Sequence, residues 1–392
     1  MIKTYKVKLK PNNKQRTQLF RFAICGRYAY NWAIEREEKN HTLGYRFITE
    51  EELRKEFTQL KKRPEYNYFN KVSNNVMKKS IKEACASYYN YLYYGKSYPR
   101  LKTSDNSPYS FYQDPYKIKF TETHVKIEKL TDSKKESRQN FNWIRLAEKE
   151  RIPLNVKYYN PRFKYDGLDW YITVGVKVDA VRKMNYNEGI GIDLGVTKLA
   201  VCSDGYEYEN INKSDKVRYI ERRIKRLQKS LENKMEINKK GDTYCKTKNI
   251  AKLKRKIRKN MLHIIHKRED YLHKVTSEIV ARSPEFICIE DLGISRMMKN
   301  EKLSKPIQKQ NFKRFRRHII YKANLVNIKV IIADQNYPSS KRCIKCGRIK
   351  TDLTLSDRIY VCVCGNVIDR DYQASMNLKL YGERAMRGIY SY

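Results

Sequence analysis

The chain has 392 residues and carries 84 Lys+Arg against 43 Asp+Glu, a formal net charge of +41. Self-repulsion of that size calls for a neutralising polyanion, which points to nucleic acid. With 40% hydrophobic and 12% aromatic residues it is no disordered polycation, and no apolar run approaches the roughly 20 residues that a membrane span needs.

The first segment, Ile2 to Leu9, alternates apolar and basic residues and predicts a half-buried strand. Lys10-Pro11-Asn12-Asn13 then opens a helix on which Leu19, Phe22, Ala23, Tyr30 and Ala33 recur at helical spacing. Further helices are predicted over about 49–60 and 72–94, and Pro99 to Lys102 reads as a loop. From about 108 to 178 short alternating runs (118–120, 125–127, 143–146, 170–174) predict strands. The first half therefore reads as a β-barrel or small sheet interrupted by a helical insertion, with basic strands suited to a binding platform.

Gly189 to Cys202 predicts a strand pair, with Asp204-Gly205 as a hairpin signal. A long helical stretch over 214–282 breaks near 238–242. Between 213 and 274 it holds 22 Lys+Arg against 7 Asp+Glu, a surplus that suits a helical hairpin lying along phosphates. Phe286 to Ile289 is a buried strand ending in Glu290. A polar, mobile segment is expected over about 293–310, then a helix over about 311–326 and a strand at Val330 to Ala333.

Nine cysteines divide into five scattered ones (Cys25, Cys85, Cys202, Cys245, Cys288) and a C-terminal cluster. Cys343-x-x-Cys346 and Cys362-x-Cys364, separated by fifteen residues, read as a four-thiolate Zn²⁺ site with a structural role, because four thiolates leave no open position. The scattered thiols fit a reducing cytoplasm, and with the charge this predicts a cytoplasmic, nucleoid-associated protein.

Three acids stand in apolar or helix-starting surroundings. Asp193 lies within Gly191-Ile192-Asp193-Leu194-Gly195, Glu290 ends a strand, and Asp371 opens the last helix. Ionising such groups is costly unless a cation compensates. If they converge they make a hard-oxygen pocket for Mg²⁺ or Mn²⁺. Two such ions about 4 Å apart can activate water for phosphodiester cleavage. Taken singly, Asp193 could cap a turn, Glu290 could pair with an Arg, and Asp371 could be an N-cap.

Gly189 to Val196, Ile289-Glu290-Asp291-Leu292 and Asp369-Arg370-Asp371-Tyr372-Gln373-Ala374-Ser375 resemble the three segments of a RuvC-type nuclease, in the order and spacing of the TnpB family. These are the small nucleases of insertion sequences, related to type V CRISPR effectors. Tyr5 to Asn12 with Gln15, Arg27 to Asn31, Pro99 to Lys102 and Tyr321-Lys322-Ala323 also match, so the resemblance spans nearly the whole chain. It implies a bilobed α/β plus β-barrel fold. Residues 1–180 would form the barrel, with a helical recognition insertion at about 11–105. The RNase H-like (RuvC) domain would span 181–337 and 369–392, around a zinc insertion at 338–368. It further implies an RNA-guided, Mg²⁺-dependent DNA endonuclease with Asp193, Glu290 and Asp371 as catalytic ligands. Its partners would be a guide RNA from the mobile element and double-stranded target DNA, with no membrane. The segment after Glu290 would act as a lid. The family's Asp-x-Asn-Ala becomes Asp371-Tyr372-Gln373-Ala374 here, and Asp371 is chosen over Asp369.

Other readings compete. Gly191 to Gly195 also resembles the phosphate loop of actin-like ATPases, but 15 glycines without a second Gly-rich loop do not supply a nucleotide cradle. A catalytically idle regulator of transposition would be marked by a lost carboxylate, and all three are present. No feature positively supports strand transfer by a transposase.

Overall fold

The computed structural model describes residues 1–104, 106–131, 142–179, 186–241, 243–245, 247–293, 301–354 and 357–389. The chain divides into two compact units, Met1–Val178 and Asp179–Tyr392. No described helix is long and apolar enough to cross a membrane.

In the first unit, strand β1 (Ile2–Lys10) runs into helix α1 (Asn13–Thr42). Asn12 and Gln15 form a reciprocal capping box at the junction, each side chain accepting from the other's backbone N–H. Thr49 and Glu52 do the same for α2 (Glu50–Leu60). Helix α3 (Asn74–Tyr94) stops at Gly95, whose φ of 59° is the left-handed conformation that ends helices cheaply. Six strands follow: β2 (Ser110–Tyr112), β3 (Lys119–Phe120), β4 (His124–Lys126), β5 (Trp143–Leu146), β6 (Tyr158–Tyr165) and β7 (Trp170–Lys177). They join β1 in one antiparallel sheet of order β2-β6-β7-β1-β5-β4-β3. No ladder joins its end strands, β2 and β3, among the described residues. Val7, Leu9, Phe163, Ile172 and Val174 point from the sheet into a core shared with Leu19, Phe22 and Ile34 of α1 and Ile81 of α3.

The second unit is built on a five-stranded sheet of order β10-β9-β8-β13-β14. Strands β8 (Ile190–Leu194), β9 (Lys198–Cys202) and β10 (Glu207–Glu209) form an antiparallel meander. Helices α4 (Asp215–Ile237) and α5 (Lys248–Ala281) follow, joined through a two-stranded hairpin of β11 (Lys239–Lys240) and β12 (Thr243–Tyr244). They pack along Val217, Ile224, Ile257 and Ile264. Strand β13 (Phe286–Glu290) returns parallel to β8, and β14 (Lys329–Ala333) lies parallel to β13. Between β13 and β14 come α6 (Glu301–Gln310) and α7 (Phe312–Leu325). A small hairpin of β15 (Ile359–Val361) and β16 (Val367–Asp369) precedes the last helix, α8 (Arg370–Met386).

One expectation is corrected here. Residues 301–310, read as part of a polar mobile segment, form helix α6, with Ile307 buried in the core. Pro306 and the charged flanks hide that one apolar anchor. The remainder of the expected lid, 294–300, lies outside the described residues.

Alternation along the strands sorts their side chains onto two faces. Ile190, Ile192, Leu194, Ile287 and Ile289 face Leu272, Val275 and Ile279 of α5 and Phe315 and Ile319 of α7. Phe286 and Cys288 face the other way, with Ala333 and with Leu378 of α8.

Candidate active site and cysteine cluster

Asp193 and Glu290 belong to the face covered by α8, because each is one residue from an isoleucine that faces the opposite side. The parallel ladder pairs Ile287 with Ile190 and Ile289 with Ile192. Continued by one rung, that register would set Glu290 beside Asp193, on strands about 4.8 Å apart.

Three glycines fix where α8 lies across this face. A Cβ on Gly191 would fall 2.1 Å from the Ser375 carbonyl oxygen and 2.3 Å from the Lys379 nitrogen, so the helix backbone rests directly on β8. Cβ atoms on Gly189 and on Gly382 would each strike the Phe286 ring, at 2.1 and 2.2 Å. Gly382 therefore sits over the start of the strands and Ser375 over Gly191, so α8 runs antiparallel to β8. Asp371, one turn before Ser375, then lies over the end of β8, where Asp193 is.

The electrostatics agree with that placement. The Asp193 carboxyl is pushed well above the usual carboxylate range, first by burial, then by the charges of Asp371 and Glu290, with Arg370 opposing. Glu290 is raised as well, by burial and by the neighbouring Asp291. Asp369 has a different job: its Oδ1 accepts from the backbone N–H groups of Asp371 and Tyr372, both at 2.9 Å, and so caps α8. The N-cap role that composition allowed for Asp371 thus falls to Asp369. The Asp371 carboxyl makes no hydrogen bond or ion pair among the described residues, nor do those of Asp193 and Glu290. Asp291, in contrast, is held by Arg316 at 2.5 Å.

The donor set suits a hard divalent cation: oxygen ligands only, mutually repelling, with no cationic side chain bonded to them. Single ligand atoms of the three acids do not all fall within 4.8 Å of one another. Among the described residues that spacing is met by the four cysteines and by Glu269, His273 and His318. Carboxylates that bind two ions about 4 Å apart need not bring all their oxygens within that distance of one another.

The cysteines converge fully. Cys343 Sγ lies 3.6 Å from Cys364 Sγ, and Cys346 Sγ lies 3.6 Å from Cys362 Sγ. A tetrahedron with Zn–S bonds of ~2.3 Å has edges of about 3.8 Å, so the thiolates match zinc despite the shortened Cys-x-Cys. Gly347 (φ 76°) and Gly365 (φ 80°) supply the left-handed turns behind each pair. Burial works against ionising Cys343, but N–H groups of Cys346 and Lys345 and the neighbouring thiols bring it down to about 6.

Two residues that sequence reasoning did not weigh tie this cluster to α8. The buried Asn366 side chain points Nδ2 at Cys343 Sγ (3.5 Å) and donates to Gln373 Oε1 at 3.0 Å. Asn377, also buried, donates to the carbonyls of Ser339 and Arg342, both at 2.7 Å. The only available hints were an amide in the turn after Cys364 and another at a helical position, and sequence alone does not separate a buried one from an exposed one.

Known proteins align along the chain. The "Probable transposase" family model matches residues 171–301, the "Cas12f1-like, TNB domain" model 312–378, and a "Helix-turn-helix domain" model 1–44, which here form strand β1 and helix α1. The chain is 26% identical over 380 residues to a "Putative RNA-guided DNA endonuclease" of Streptomyces pristinaespiralis, covering 97% of this chain and 89% of that one. It is 25% identical over 402 residues to "Putative RNA-guided DNA endonuclease InsQ" of Escherichia coli K12, covering 98% and 93%. Among solved structures it aligns with the mini-RNA-guided endonuclease CRISPR-Cas_phi3 at a TM-score of 0.48 and 9% identity, over 96% and 92% of the two chains. Family models follow one another through both units and two relatives match almost end to end, so the likeness to the TnpB family runs through nearly the whole chain.

Proposed function

We propose that this protein is an RNA-guided, divalent-metal-dependent DNA endonuclease of a mobile element, cutting at Asp193, Glu290 and Asp371. The observation that carries the reading is that the charges of Asp371 and Glu290 both act on the buried Asp193, although the three come from distant segments. The near-full-length relatives named as RNA-guided DNA endonucleases support the guide and the target class. The strand order β10-β9-β8-β13-β14, a meander followed by parallel strands, supports an RNase H-like sheet. In the same reading residues 1–180 are a barrel with a helical recognition insertion, and 338–368 are a zinc-binding insertion in the nuclease domain.

Mg²⁺ or Mn²⁺ held by the three carboxylates would supply Lewis acidity for phosphodiester hydrolysis. The chain's own residues do the rest. Asp369 and the glycine seat of α8 hold Asp371 against β8, and Arg316 steadies the chain just after Glu290 through Asp291. The thiolate cluster would hold Zn²⁺, and it braces the start of α8 through Asn366 and Gln373. Basic surface along α4 and α5 binds phosphates without reading sequence, while base pairing with the guide selects the target.

The test is purification from cells expressing the flanking mobile-element RNA, sequencing of bound RNA, and cleavage of a matched plasmid. Wild type should cut only with Mg²⁺ or Mn²⁺. Asp193→Ala should lower cutting at least about a thousandfold while retaining RNA, because a metal ligand serves the transition state. RNA-independent cutting would overturn the guided reading, and cutting by Asp193→Ala would overturn the site.

A further inference from the structure

On the opposite side of the sheet from the carboxylates, α5 and α7 bring together two imidazoles and a carboxylate. Glu269 and His273 lie four residues apart on α5, hence on one helix face, and His318 comes from α7. The ring nitrogens Nδ1 of His273 and His318 are 3.1 Å apart. Their Nε2 atoms lie 3.6 and 3.5 Å from the same oxygen, Glu269 Oε1. One ligand atom from each residue falls within 4.8 Å of the other two. Ligands on adjacent vertices around one ion, at bonds of ~2.1 Å, lie about 3.0–3.4 Å apart, so small side-chain rotations close this set around a cation.

The surroundings prepare the ligands. Arg314 Nη1 binds the other carboxylate oxygen, Glu269 Oε2, at 2.8 Å, which fixes the group and leaves Oε1 turned to the rings. Glu269 is held below the usual carboxylate range by the neighbouring His318, Arg314 and His273, against the pull of burial. Burial, His318 and Lys322 depress the His273 pKa, so its lone pair is available at neutral pH. Lys322 does not compete for that lone pair: its ammonium donates to the His273 carbonyl, Thr276 Oγ1 and Ser277 Oγ, three acceptors for three protons. The His318 side chain is 12% exposed and that of His273 51%, so the cluster is walled on one side and open to water on the other.

We propose that Glu269, His273 and His318 form a second transition-metal site, selective for Zn²⁺ over Mg²⁺, that clamps α5 to α7. Two imidazoles favour a borderline ion over a hard one. Water completes the coordination, which makes this site open where the cysteine cluster is closed. The clamp joins the second helix of the basic hairpin to the helix between β13 and β14. It does not depend on the nuclease reading, since neither the ligands nor the test involve the three acids.

The experiment counts metal on the full-length protein. After Zn²⁺ saturation and removal of free ion, elemental analysis should find two zinc per chain in wild type and one in His318→Gln and in the more exposed His273→Gln. Cys346→Ser should lose the other. Co²⁺ loading separates the sites: thiolate-to-cobalt charge transfer in the near ultraviolet should persist in both His variants, while weak visible bands of nitrogen–oxygen coordination should vanish. Wild type holding one zinc, with a count unmoved by either His substitution, would overturn the proposal and leave a hydrogen-bonded imidazole pair.

Discussion

At Asp193 a single carboxyl meets two opposed demands. Bare, it is penalised by burial and by Asp371 and Glu290; ionised, it is what a divalent cation needs. The consequence for stability has a definite sign. A carboxyl whose folded pKa is raised above its unfolded value contributes stability that is fully present only at pH below the unfolded value. That contribution is lost as pH climbs through the raised folded pKa. In EDTA, Asp193→Asn should therefore melt a few degrees above wild type at pH 7, and the difference should shrink as pH falls towards 4. Thermal melts across that range check it. A variant less stable than wild type at pH 7 would mean that Asp193 is not strained. For the active protein, the Mg²⁺ needed for half-maximal cutting should rise as pH drops, since protons and metal compete for the same oxygens.

The elements that aim these residues are short, and their positions are set by close approach. Helix α8 touches β8 because Gly191 has no side chain, and the helix starts where it does because Asp369 caps it. The Asn366–Gln373 hydrogen bond links that start to Cys343. Gln373→Ala leaves Asn366 short of a buried partner, a loss of about 1–3 kcal/mol. It should raise the Mg²⁺ midpoint and speed zinc release to a chelator. Asn366→Ala should do the same, and the double variant should cost less than the two singles combined, with a coupling of roughly 0.5–3 kcal/mol. Strict additivity would mean that the two amides act separately.

Much at this scale is legible in the sequence. The alternation of Ile190 and Ile192, and of Ile287 and Ile289, marks β8 and β13 as strands, and the Cys spacing marks the cluster. Three things are not. Helix α6 buries Ile307 and Gln310 in a stretch that also holds Pro306 and the charged Lys305 and Lys309, so it shows no wide apolar stripe. Choosing between Asp369 and Asp371 needs the cap geometry. The Glu269–His273–His318 grouping joins two helices distant in the chain, and no periodicity within either one reports the other.

For the whole molecule the surplus of positive charge decides which partner it meets and how tightly. Binding of guide RNA should fall steeply with salt, by about 10³–10⁵ in affinity between 50 and 200 mM if 6–10 phosphates are engaged. Lys252, Arg255 and Lys259 lie on α5, all three exposed to solvent. Replacing all three with Gln should flatten the slope of log affinity against log salt by about one unit for each phosphate left without its cation, without altering which RNA is selected. An unchanged slope would place the RNA elsewhere. Composition foretells the polyanion but not its path, because exposed charge carries no pattern that fixes a groove.

Cutting at Asp193, Glu290 and Asp371 requires those carboxylates to share divalent ions, and locating the ions is the most direct test. Anomalous diffraction at the manganese edge, from crystals of the guide-loaded protein grown with Mn²⁺, should show manganese between Asp193, Glu290 and Asp371 in wild type. The same crystals of Asp371→Asn should show it depleted, while Asp369→Asn should keep it. Manganese bound elsewhere in a protein that still cuts, or bound equally well without Asp371, would contradict the shared-ion site.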